Sequence, residues 1–157
     1  MTTDTAQRQE ITAFEIRKEI EIAAPIELAF QAVLDELGPE AQIMDGQSLS
    51  MKIEPWPGGR WYRDLGSNAG HLWGHVQVIK PPTLLELTGP MPMSYAAVNH
   101  VQYRLKQENG KTRLTFVHSA MGLILPEHRD GMQEGWAKWL DQIRQLAERK
   151  HQKGASR

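Results

Sequence analysis

Three side chains that can form hydrogen bonds or transfer protons fall on the mostly apolar faces of two predicted strands. In "VNHVQYRLK" and "TRLTFVHSAMG", two-residue alternation puts Asn99, Tyr103 and His118 among apolar neighbours. A buried polar group without a hydrogen-bond partner costs about 1 to 3 kcal/mol, so these groups either satisfy one another or orient a ligand in an apolar cavity. His118 could also act as a general acid or base, with Tyr103 as a second proton-transfer group, because imidazole titrates near neutral pH.

A metal site is not predicted, although "HLWGH" holds His71 and His75 four positions apart. On a strand that spacing separates the two Cα atoms by about 13 Å, too far for one ion with ligand bonds of about 2 Å. Trp73 lies between them and is interpreted as a surface or interface aromatic. No nucleophile elbow or phosphate-binding loop is present, and no cofactor is predicted.

Methionine and tryptophan side chains are candidates for the walls of an apolar cavity. Methionine adapts to varied apolar shapes, although ordinary core filling explains these residues equally well. In the last helix Trp136 is predicted to face the cavity and Trp139 to border the sheet or a partner chain. The full set of candidate ligand-binding residues is Trp61, Met91, Met93, Asn99, Tyr103, Phe116, His118, Met121, Met132 and Trp136.

The elements that would position these residues follow from periodicity. "FEIRKEIEI" alternates as a strand, and "AAPIELAFQAVLDELGP" has the apolar stripe of a helix of about thirteen residues. In "WPGGR", Pro57 and Gly58 suit a type II turn between antiparallel strands. Further strands follow, and "PEHRDGMQEGWAKWLDQIRQLAERK" is a long amphipathic helix. Strands bracketed by helices predict an α+β fold.

Several of these segments resemble one known superfamily. The segments "IEIAAPIELAFQAV", "PGGRW", "GHVQVIKPPTLLEL", "KTRLTFVHSAMG" and "EGWAKWLDQI" are similar to the START-like (SRPBCC) superfamily, within it to the family named after the activator of the heat-shock-protein-90 ATPase. The resemblance covers roughly residues 14 to 147. It implies a helix-grip fold, in which a curved antiparallel sheet of six to seven strands wraps around a long C-terminal helix, with one or two short helices after the first strand. It also implies a cavity for apolar small molecules between sheet and helix.

The expected domain spans residues 14–150, between flexible tails at 1–13 and 151–157. The chain of 157 residues has a formal charge of −1, which argues against nucleic acid as a partner. It has no cysteine, a composition that suits a reducing cytosol. No apolar run is long enough to cross a membrane and the first residues do not resemble a secretion signal, so a cytoplasmic protein is expected.

Three functions remain open on the sequence. The first is a carrier or sensor of an apolar small molecule. The second is an enzyme of the cyclase or hydrolase type that uses His118 and Tyr103. The third is a homodimerisation or chaperone-interaction module, for which a chaperone partner is doubtful because only thirteen residues precede the first strand.

Overall fold

The computed structural model describes residues 5–41, 48–92, 94 and 96–155. Its elements are β1 (Thr12–Ile22), α1 (Ile26–Glu36), β2 (Met51–Ile53), β3 (Arg60–Gly66), β4 (Ala69–Lys80), β5 (Leu84–Gly89), β6 (Ala97–Glu108), β7 (Lys111–Gly122) and α2 (Pro126–Ala155). In these residues seven strands form one antiparallel sheet in the order β1-β7-β6-β5-β4-β3-β2. The predicted α+β helix-grip fold is therefore confirmed.

Turn residues fix the sheet's hairpins, as their sequences predict. Gly58 has a φ of 82°, and the Gly59 N–H donates to the Trp56 carbonyl at 2.8 Å, which closes the turn between β2 and β3. Between β6 and β7, Asn109 and Gly110 have φ angles of 53° and 79°. Positive φ at both central residues is what a two-residue hairpin needs to match the twist of its strands.

The core lies between the inner face of the sheet and the two helices. Strands β6 and β7 contribute alternating buried residues, as predicted from their two-residue period. Phe30 and Val33 of α1 and Leu140 and Ile143 of α2 join the same cluster of buried residues. Burial of these stripes is what holds α2 across the sheet.

Strand β4 departs from simple alternation at Trp73. The register between β3 and β4 shifts between Trp61 and Tyr62, and both Trp73 and Gly74 are buried. Gly74 is required because a Cβ there would lie 2.8 Å from the Thr88 carbonyl oxygen. The interpretation of Trp73 as a surface or interface aromatic is therefore wrong, because this residue is 8% exposed and its ring packs inward on Trp61.

The last helix is longer than the domain boundary drawn from the sequence. It continues to Ala155, so the segment 151–155, expected to be part of a flexible tail, is helical and exposed. Gln152, Lys153 and Ala155 are good helix formers and favour the extension, against the poor propensity of Gly154. In the part of the chain described here, no helix is both long and apolar enough to cross a bilayer.

Candidate functional site

A cavity of about 200 Å³ lies between the sheet and the first half of α2. Its walls come from strands β3 and β7, from the loop between β5 and β6, and from one face of the helix. The lining residues are Trp61, Met91, Pro92, His118, Met132, Gly135, Trp136 and Trp139. These described residues are almost entirely apolar, and apart from the indole N–H groups His118 is the one polar side chain among them.

Aromatic rings pack against one another around this cavity. The ring centroids of Trp136 and Trp139 lie 6.1 Å apart, and Phe116 supports Trp136 from the sheet at 4.5 Å. On the opposite wall Trp61 meets Trp73 edge to face at 5.4 Å. The Trp61 Nε1 donates to the Leu37 carbonyl at 2.9 Å, which fixes the orientation of that indole. Rings held in this way form a pre-shaped apolar surface.

A directed chain of hydrogen bonds runs from α2 into the sheet. Trp136 Nε1 lies 2.9 Å from His118 Nδ1, and His118 Nε2 lies 2.7 Å from Asn99 Oδ1. Because an indole N–H can only donate, His118 Nδ1 must accept, and the imidazole proton resides on Nε2 and is donated to Asn99. Both ring nitrogens of His118 are therefore occupied by protein partners.

The chain of hydrogen bonds continues from Asn99 into the loop between β5 and β6, which forms one wall of the cavity. The Asn99 amide donates to the carbonyls of Gly89 at 3.1 Å and Pro90 at 3.2 Å. The Met91 N–H in turn donates to the Trp73 carbonyl at 2.8 Å. The start of this loop is thus fastened to both neighbouring strands.

Burial sets the protonation states of His118 and Tyr103. Burial lowers the pKa of the His118 imidazole to about 4, so the ring is neutral at pH 7. Burial also raises the pKa of the Tyr103 phenol above its ordinary range. A neutral imidazole with both nitrogens engaged and a phenol that stays protonated at pH 7 are poorly suited to proton transfer.

One donor in the residues that line the cavity has no acceptor in the part of the chain that the structure describes. Trp139 Nε1 is buried and makes no hydrogen bond with any described residue, unlike the indole nitrogens of Trp61 and Trp136. An unsatisfied buried N–H is unfavourable by about 1 to 3 kcal/mol. Trp139 Nε1 is thus a buried donor in a residue of the cavity wall, left unpaired by the described part of the chain.

Five of the residues singled out in the sequence line this cavity: Trp61, Met91, His118, Met132 and Trp136. Two others support it from behind, since Phe116 packs on Trp136 and Asn99 holds His118. Tyr103 is fully buried against Phe116 at 5.2 Å between ring centroids, and its hydroxyl has no hydrogen-bond partner among the described residues. Tyr103 takes no part in the hydrogen bonds that join Trp136, His118 and Asn99.

Met121 is misassigned by the sequence argument. Strand β7 continues to Gly122, so alternation from His118 and Ala120 turns Met121 to the outer face, where it is 56% exposed. It does not line the cavity. Met93 lies outside the described residues.

Three lining residues were missed: Pro92, Gly135 and Trp139. The sequence predicts that Trp139 borders the sheet or a partner chain. In the structure both tryptophans of α2 line the cavity, because residues three apart on a helix lie on neighbouring rows of one face. That spacing was the available signal. Among the described residues no group of three or more His, Cys, Asp or Glu side chains could hold a metal ion.

The architecture and this cavity define a helix-grip domain of the START-like class. The sequence model of the family "Activator of Hsp90 ATPase homolog 1-like protein" matches residues 23–148. The chain belongs to this family, and the resemblance noted in the sequence is confirmed. No curated protein sequence gave a significant match.

Solved structures of the same fold come from several bacteria. An uncharacterised protein from Rhizobium leguminosarum is 20% identical with a TM-score of 0.67, covering 90% of this chain and 99% of that one. The Mll3558 protein from Rhizobium loti is 17% identical with a TM-score of 0.69, covering 88% and 99%. A protein from Chromobacterium violaceum is 21% identical with a TM-score of 0.63, covering 85% and 96%. At these identities the likeness supports the fold alone.

Proposed function

We propose that this protein binds an apolar small molecule in the cavity between the sheet and α2, as a carrier or sensor. The observation that carries the proposal is the aromatic cavity of about 200 Å³, whose lining residue Trp139 has a buried Nε1 with no hydrogen-bond partner among the described residues. Largely apolar pockets with a few placed polar groups are typical of small-molecule sites. The ligand expected here has an apolar body and at least one hydrogen-bond acceptor.

The rings that would contact such a ligand are already held in place. Trp61 and Trp136 each make a hydrogen bond to the protein, so little side-chain freedom is lost when a ligand enters. Trp139 would supply the orienting hydrogen bond, and Met91 and Met132 would adapt to the shape of the apolar body.

Proton-transfer catalysis by His118 and Tyr103 is the weaker alternative. Their rings are buried, the His118 nitrogens are both occupied, and Tyr103 does not border the cavity. The geometry favours a structural role for His118, in which it orients Trp136.

A titration with octan-1-ol tests the proposal, since this neutral probe combines a flexible apolar chain with one oxygen acceptor. Isothermal calorimetry should show saturable binding, and the indole N–H signals of the cavity tryptophans should shift in a ¹⁵N-resolved NMR spectrum. Trp139→Phe should weaken binding by about two- to tenfold, the contribution of one neutral hydrogen bond.

Trp56→Phe is the matched control, because Trp56 is 54% exposed in the turn between β2 and β3 and lies outside the cavity lining. It should bind the probe as the wild type does. No saturable heat and no indole shift with the wild-type protein would refute the proposal, as would equal losses in both variants.

A further inference from the structure

Arg63 brings a guanidinium to the inner side of the sheet, next to the aromatic cavity. It pairs across strands with Met51 of β2 and with His71 of β4, so the three side chains share one face. Met51 on that face is buried in the core. The Arg63 Nε is itself buried and has no hydrogen-bond partner in the described part of the chain.

The neighbouring charged residues are paired elsewhere. Arg60 donates through Nε and Nη2 to the two carboxylate oxygens of Glu54 at 2.8 and 2.9 Å. Asp64, next to Arg63 in sequence, accepts from Lys52 Nζ at 3.0 Å and from the Gly66 N–H at 2.9 Å. These carboxylates are therefore engaged by other donors, and Arg63 keeps a buried donor that calls for an acceptor.

A second cavity of about 330 Å³ opens at Arg63. His71 and Trp73 also line it, and none of its described lining residues is acidic. Met91 and Pro92 line this cavity and the aromatic cavity as well, so the two spaces adjoin along the loop between β5 and β6. One elongated molecule could place an apolar part in the first and a polar end in the second.

We propose that Arg63, assisted by His71, binds the carboxylate of an amphipathic ligand whose apolar part occupies the aromatic cavity. This inference rests on the proposed function and narrows the ligand class to apolar carboxylates. A guanidinium fork matches the two oxygens of a carboxylate, and a charged hydrogen bond is stronger where neighbouring groups such as Trp73 exclude water. His71 adds a second nitrogen beside the same cavity.

Octanoate and octan-1-ol form a matched pair of probes for this test, since they share chain length and differ in the head group. By calorimetry at about pH 7.5, where a carboxylic acid is ionised, the wild type should bind octanoate about tenfold more tightly or better, the worth of one charged hydrogen bond. Arg63→Met keeps an apolar stem and should abolish this preference while leaving octan-1-ol binding unchanged. Arg63→Lys should retain part of it, because an ammonium keeps the charge without the fork.

Arg17→Met is the control for net charge, since Arg17 lies on the outer face of β1 with a side chain 62% exposed. It should keep the full preference for octanoate. His71→Gln should lower the preference by a smaller factor than Arg63→Met does. Circular dichroism verifies that each variant is folded, and Arg63→Lys carries the test if Arg63→Met does not fold.

The possible outcomes separate this inference from the proposed function. If the wild type binds octan-1-ol but binds octanoate no better, the carboxylate site is refuted and the apolar cavity stands. Equal loss of the preference in the Arg63 and Arg17 variants would also refute the site, because it would indicate diffuse charge attraction. If neither probe binds the wild type, both proposals fall.

Discussion

Acidification should destabilise this protein through His118, and replacing that residue should remove the effect. The imidazole is fully buried, held neutral between Trp136 and Asn99, and its pKa is lowered to about 4 by burial. In the unfolded chain the same group titrates near 6.5. The unfolded state therefore takes up a proton first as the pH falls, and stability is lost between about pH 6.5 and about pH 4.

The magnitude follows from the difference between the two pKa values. Full titration corresponds to about 3 kcal/mol, and about 2 kcal/mol of this is lost on going from about pH 7.5 to about pH 5. His118→Gln removes the titrating group but keeps an amide that can both donate and accept. Whatever the stability of the variant at pH 7, its free energy of unfolding should change less with pH than that of the wild type.

The assay is urea unfolding followed by tryptophan fluorescence at the two pH values, for the wild type, His118→Gln and the control His75→Gln. His75 is exposed on β4. The difference between wild type and variant isolates His118, because other titrating groups contribute to both proteins. A wild type and a His118→Gln variant that lose the same free energy of unfolding on acidification would refute the assignment of a buried, neutral imidazole.

Two further predictions concern the helices. Burial, reinforced by the nearby charge of Glu40, raises the pKa of the Glu36 carboxyl from its ordinary value of 4.5 to about 7. Because the folded state holds the proton more tightly than the unfolded state, stability falls as the pH rises between these two values. Glu36→Gln should therefore raise the free energy of unfolding at about pH 8 and change it little at about pH 4.5. An equal effect at both pH values in urea unfolding would contradict this. Gly131 lies inside α2, and a Cβ there meets nothing within 4 Å, so Gly131→Ala should stabilise the protein by about 0.5 to 1 kcal/mol. A lower thermal midpoint for Gly131→Ala would show that the glycine has another role.

Much of the fold could be predicted from the sequence because its local signals agree with one another. The Pro57–Gly58 pair and the Asn109–Gly110 pair specify their turns through φ preferences alone. Alternation in β6 and β7 then assigns the inner face correctly, including His118.

The site was harder to predict because it depends on breaks in those periods and on tertiary pairing. The register shift in β4 turns Trp73 inward, and alternation cannot reveal it. Met121 is different, because the alternation that turns His118 inward already turns Met121 to the outer face, and its assignment to the cavity disagrees with that pattern. Nor does a sequence show that Asn99 pairs with His118 while Tyr103 has no hydrogen-bond partner among the described residues.

The hydrogen bond from Trp136 to His118 makes the two indoles of α2 unequal toward any guest molecule. A ligand oxygen that accepted the Trp136 N–H would leave His118 Nδ1 without its donor, at a cost of about 1 to 3 kcal/mol. An oxygen at Trp139 Nε1 would displace no hydrogen bond made by the described residues. If the proposed ligand binds here, its acceptor would therefore be placed more favourably at Trp139 than at Trp136.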